Sequence, residues 1–190
     1  MNKKRKIILS YKIILFIILC ILLNLAGRIL TLNVAIPLWL DSVGTCLASV
    51  FIGPLAGITV AVVSSVIYLF LNCISVYYIF VSIATALIVG LVYPKRVDTF
   101  QILLTAYYTA LVSGCLSVMV NLIISDGYIG NIWADALFEY LKVRNVPTLL
   151  CSLAGQSLIE FPDKVLVLLI VTAVISIYKE VEKIKQEVKG

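Results

Sequence analysis

Long apolar runs, broken by proline, glycine and short charged stretches, occupy most of this chain. The first follows the basic start NKKRK and extends from Ile7 to Ala26. A helix that crosses a bilayer needs about 20 mostly apolar residues. Of the 190 residues, 62% are hydrophobic and 13% charged, and the mean hydropathy is +1.12. Soluble domains run at about 45–50% apolar and about 25% charged. The expected fold is therefore an all-α integral membrane protein, not a soluble globular domain or a disordered chain. Six spans of about 20 residues would use roughly 120 residues, leaving short loops, two tails and one longer loop.

The expected spans fall at 7–27, 38–52, 55–71, 76–93, 100–124 and 162–178, in a single domain covering 1–190. The first run is longer than the apolar core of a signal peptide and no small-residue cleavage site follows it, so it reads as a retained helix. The segment RILTLNVAIPLW, with Pro37, reads as a loop dipping into the membrane interface. Gly53-Pro54 separates the second and third helices, Asn72 to Ser75 make a short turn, and Pro94 stops the fourth helix. After SDGYIGN, Trp133, Leu137, Tyr140 and Leu141 recur about one helical turn apart with Asp135 and Glu139 between them. That pattern predicts an amphipathic interfacial helix between helices 5 and 6. Residues 148–161 either re-enter the membrane or begin the last helix, with Pro162 at a kink.

Basic residues set the orientation. Lys3, Lys4, Arg5, Lys6 and Lys12 cluster at the start, and Lys179, Lys183, Lys185 and Lys189 at the end. With both termini in the cytoplasm, Lys95 and Arg96 also fall inside and the long loop after helix 5 faces out. The polar and aromatic residues then separate by depth. The outer end collects Arg28, Asn33, Trp39, Asp41, Asn72, Tyr77, Tyr78, Asn121, Gln156, Glu160, Asp163 and Lys164, while the inner end has chiefly Tyr107 and Tyr108. Polar groups inside a membrane domain face its interior or a cavity. This asymmetry predicts an outward-facing pocket, with Asn33, Trp39, Asp41, Tyr77, Tyr78, Asn121, Gln156, Glu160 and Lys164 as ligand-binding candidates. Simpler roles compete: an interfacial aromatic belt for the tyrosines, snorkelling for Arg28, and capping of helix 2 for Asp41.

Small residues recur every fourth position in two series, Gly44 and Ala48, then Gly53, Gly57 and Ala61. Such series let helices approach closely, either inside one bundle or as a docking face for another membrane subunit. The chain has no histidine, no CxxC pair among its five cysteines, no GxxxxGK[ST], no HExxH and no GxSxG. No cofactor, metal or catalytic site is expected, and any ATP hydrolysis would fall to separate partners.

The stretch IPLWLDSVGTCLASVFIGPLAGITVAVVSSVI, residues 36–67, resembles the second and third helices of substrate-binding S components of energy-coupling factor (ECF) transporters. The shared features are a proline-containing outer loop, an Asp opening helix 2, a small-residue stripe and a Gly-Pro turn. The segment FPDK, Phe161 to Lys164, also resembles that family. Helix 1 carries Ala26-Gly27 but not the AxxxA often found there. The resemblance implies a subunit that captures a vitamin or related micronutrient outside the cell. Its implied partners are a transmembrane coupling subunit and two cytoplasmic ATPases, and it would reorient bodily in the membrane to release its ligand. A membrane sensor or scaffold module and a stand-alone facilitator or membrane enzyme are the competing expectations.

Overall fold

The computed structural model describes residues 3–34, 36–71, 77–94 and 98–187. Asn72, Cys73, Lys95 and Arg96, and with them the expected turn at 72–75, lie outside these residues. The described residues form seven α-helices and no strand. The all-α expectation holds, and the helix boundaries differ from it in three instructive places.

Helix α1, Lys3–Val34, continues through the segment expected to be an interfacial loop. Nothing in Arg28–Val34 breaks a helix, and the extended preference imposed by Pro37 acts only on the residue before it. The last turn is tied down by Thr31, whose hydroxyl donates to the Trp39 carbonyl at 3.2 Å. Helix α2, Val43–Phe51, has only nine residues, against the span expected at 38–52. At 1.5 Å per residue it is about 13–14 Å long, too short to cross a bilayer alone. It ends at Gly53, whose φ of +132° is open to glycine and strained for other residues. Pro54 then opens α3, Pro54–Leu71, at the first helical position, where its missing N–H costs nothing.

Helix α4, Ile79–Val92, stops where Tyr93 turns extended ahead of Pro94. Helix α5, Thr99–Ile124, is capped by Asp98, whose carboxylate accepts from Phe100 N at 3.2 Å. Helix α6, Ile132–Lys142, is the short helix expected in the long loop, capped by Asn131. Its buried stripe is Ala134 and Phe138, whereas Trp133 and Tyr140 are more than half exposed. The helix is there, but its packed face is rotated from the expected Trp133–Leu137–Tyr140 stripe, because Gly155 on α7 brings the Ala134 carbonyl close.

Helix α7, Thr148–Glu187, is a single helix of 40 residues running through Pro162. Residues 148–161 therefore extend the last helix and do not form a re-entrant segment; the expected start at 162 is corrected by 14 residues (162 minus 148). Its buried positions recur every turn as Gln156, Ile159, Glu160, Asp163, Lys164, Val167, Leu168 and Val171. One continuous face is thus polar over its first half and apolar over its second.

Two helices are long and apolar enough to cross a membrane, Tyr11–Val34 and Thr99–Ile124. Pro54–Phe70 and Ile79–Val92 are apolar but shorter. Helix lengths alone thus do not reproduce the six expected spans. Helix α2 sits at the centre, touching α1, α3, α4 and α7. Its residues Val43 to Ser49 are buried. Around it pack Cys20, Val60, Val89, Ala106 and the apolar half of the α7 face.

Candidate functional site

The polar half of the α7 face borders a cavity of about 230 Å³. Its wall is built from the C-terminal parts of α1, α3 and α5, the N-terminal parts of α4 and α7, and the segments before α2 and α6. The cavity therefore lies toward the helix ends remote from both chain termini.

Of the nine residues predicted to bind ligand, Trp39, Asp41, Tyr78, Gln156, Glu160 and Lys164 line this cavity. Asn121 stands just behind the wall, fully buried. Its side-chain carbonyl accepts from the Tyr78 hydroxyl, and its amide donates to Gln156 Oε1 at 3.1 Å. That chain fixes Tyr78 and Gln156 from three separate helices. The remaining two candidates are elsewhere: Asn33 is exposed and donates to the Ile29 carbonyl one turn back in its own helix, and Tyr77 is exposed.

Two charged groups meet at the wall. Arg28 lies over the Trp39 ring, its guanidinium 4.8 Å from the centroid, and 3.7 Å from Asp41 Oδ2. Both partners keep some exposure (16% and 28%), so the ion pair contributes at most about 1 kcal/mol; its effect is to hold the Trp39 ring in place. Asp41 does not cap α2. That task falls to Asn24 on α1, whose Oδ1 accepts from Gly44 N at 2.7 Å and Thr45 N at 3.3 Å.

The second group is buried. Lys164 Nζ donates to Asp163 Oδ2 at 2.8 Å and lies 3.4 Å from Glu160 Oε2. Asp163 Oδ1 in turn accepts from the backbone of Trp39 at 3.0 Å and Leu40 at 2.8 Å. Leu40 has a φ of +49°, the left-handed region that branched side chains avoid. Two hydrogen bonds to one carboxylate hold it there and pin the segment before α2 to α7.

Further wall residues were not among the predicted binders: Ser42, Ser65, Tyr68, Ser82, Thr85, Ser117 and Tyr128. Single serines and threonines in apolar helices carry no signal of which way they face. Tyr68 recurs with Ser64 and Ser65 at helical spacing, which places them near one face; that signal was available. Tyr128 donates to Glu139, and this hydrogen bond pushes its phenol above the ordinary tyrosine range. The hydroxyls of Tyr68 and Ser42 and Oε2 of Glu160 are buried without a hydrogen-bond partner.

The small-residue series, expected either to pack inside one bundle or to form a docking face, makes close contacts within the chain. A Cβ on Gly44 would come within 1.8 Å of the Cys20 carbonyl oxygen, and one on Gly57 within 1.8 Å of Ser49 Oγ. Ala48 and Ala61 are buried. Gly44 and Gly57 thus bring α1, α2 and α3 together inside the chain. Gly53 alone of the five faces open space. Cys20, Cys46 and Cys151 are buried and free, and Cys115 is exposed and free. Among the described residues no cluster of metal-ligating side chains occurs.

The arrangement is that of an all-helical protein with a polar cavity set in apolar walls. Comparison with family models, with curated proteins and with solved structures gives no match.

Proposed function

We propose that this chain is a multi-pass membrane protein that captures a small molecule from outside the cell, as the substrate-binding subunit of an ECF-type importer for a vitamin or related micronutrient. The observation that carries the reading is the cavity, whose wall holds the hydroxyls of Ser42 and Tyr68, buried without a hydrogen-bond partner, and Glu160, whose Oε2 is ion-paired with Lys164 but accepts no hydrogen bond. A buried polar group without a partner costs about 1–3 kcal/mol. A ligand supplying the missing partners would offset that cost.

Membrane placement is supported by the inversion of polarity between surface and interior. Ile14, Leu15, Leu19 and Leu22 on α1, and Leu111, Met119 and Ile123 on α5, are each about half exposed or more, while Asn24, Asn121, Gln156 and Glu160 are buried. Apolar surface on this scale suits lipid or another protein, not water. In the proposed arrangement six segments cross with both termini in the cytoplasm, and short α2 is enclosed by longer neighbours. The cavity then faces outward. Energy would come from a transmembrane coupling subunit and two cytoplasmic ATPases.

The test is mass spectrometry of small molecules released from gently purified protein, together with pull-down of partner subunits. A bound micronutrient and a recovered coupling subunit are the expected results. Neither appearing, even after incubation with a vitamin mixture, discards the reading in favour of a sensor or scaffold module.

A further inference from the structure

The charges around the cavity do not balance. Arg28 stands against Asp41, and Lys164 stands between Asp163 and Glu160, so two bases meet three acids. From α6, Glu139 and Lys142 both approach Tyr128 and cancel each other. Asp163 is fully used: one oxygen takes two backbone N–H groups, and the other takes the Lys164 ammonium. Glu160 is not. Its Oε2 is buried, 3.4 Å from Lys164 Nζ, and accepts no hydrogen bond. Its one cation, Lys164, is shared with Asp163 and sits closer to that residue, so a ligand cation or N–H would supply the hydrogen bond that Glu160 lacks. On the same wall the buried hydroxyls of Tyr68 and Ser42 are free to donate. Trp39 and Tyr78 add flat apolar surface.

We infer that the occupant is a small planar nitrogen heterocycle carrying one positive charge. Its cationic or N–H edge sits on Glu160, and its acceptor atoms take the Tyr68 and Ser42 hydroxyls. A carboxylate or phosphate ester would bring a further negative charge beside Glu160 and Asp41, whose two bases, Arg28 and Lys164, are already ion-paired. The cavity of about 230 Å³ lies below the range of about 300–1,000 Å³ typical of drug-sized ligands, which points to one or two rings. This inference rests on the capture reading and narrows its substrate.

The experiment uses the purified full-length chain in lipid nanodiscs. Calorimetric titration compares thiamine as a ring cation, riboflavin as a neutral ring system and folate as an anion, and released molecules are identified by mass spectrometry. The expected result is binding or release of a cationic heterocycle, with Glu160→Gln lowering its affinity about 10–100-fold. Tyr68→Phe should weaken binding by a smaller factor while leaving the ligand-free melting temperature unchanged or higher, because its hydroxyl has no partner to lose. Tighter binding of an anion or a neutral ring, or release of one, overturns the charge assignment and leaves the capture reading standing. Undiminished affinity in Glu160→Gln also overturns it. Undiminished affinity in Tyr68→Phe overturns the placement of the ligand's acceptor atoms on this wall, and the ranking of the three probes tests the charge even where Glu160→Gln does not give monodisperse protein. No binding by any probe and no released molecule discards both.

Discussion

Asn24 is the residue whose loss should be felt most. It is 1% exposed, and its amide serves three helices. Oδ1 caps the first N–H groups of α2, while Nδ2 donates to Thr45 Oγ1 at 2.9 Å and Ser64 Oγ at 3.3 Å. Replacing it by leucine keeps roughly the volume and removes every one of these bonds. Each buried group left unpaired costs about 1–3 kcal/mol. Asn24→Leu should therefore lower stability by at least about 2 kcal/mol, counting only the two stranded α2 amides, read as a lower melting temperature in detergent. An unchanged melting temperature would mean that water reaches those amides. Asp163 acts on the cavity more directly. Without its carboxylate, Trp39 and Leu40 lose the two hydrogen bonds that hold Leu40 at φ +49°. Trp39 and Trp133 are the two tryptophans in the chain, so in a Trp133→Phe background fluorescence reports Trp39 alone. Asp163→Ala should make that signal more accessible to acrylamide. Equal quenching in both proteins would show that the Arg28 contact alone fixes the ring.

At the scale of helices, glycine decides how closely α1 and α2 approach. Gly44 sits so near the Cys20 carbonyl that even a methyl group would force the backbones apart. Gly44→Ala should cost on the order of 1–3 kcal/mol, the usual range for overpacking, and should weaken ligand binding as well, since α2 and the segment before it move together. A melting temperature within error of the unsubstituted chain would contradict this close packing. The periodic small residues made the contact legible in sequence. Which partner they contact was not legible, because an intrachain helix and a separate subunit require the same pattern. Polar depth was equally legible: six of nine predicted residues came together at one cavity, since polar groups at one end of apolar helices have few other places to go. The errors have local causes. Asn33 has an acceptor in its own helix, and Tyr77 points outward at a helix start, alternatives that composition does not distinguish. Pro162 reads as a boundary in sequence; in the fold its missing N–H is tolerated because the helix is held on both sides by α5 and by the buried Asp163–Lys164 contacts.

For the whole molecule, the cavity position and the charge distribution make one joint prediction about sidedness. The cavity lies away from both termini, and the basic residues lie at the termini. If anionic headgroups and the positive-inside bias hold the termini in the cytoplasm, the loop carrying α6 is outside. Ala136 on α6 and Lys179 on α7 are both exposed and clear of the cavity, so a cysteine at either reports location without disturbing the site. In a background with the native cysteines replaced by alanine, an impermeant maleimide should label Ala136→Cys in intact cells and Lys179→Cys only after permeabilisation. The opposite pattern would place the cavity on the cytoplasmic side, where it could not gather a scarce nutrient from the medium. Labelling of both in intact cells would require an odd number of changes to the crossing pattern. The short α2, central and enclosed, would then be the first segment to reassign, because at nine residues its passage depends on its neighbours and not on its own length.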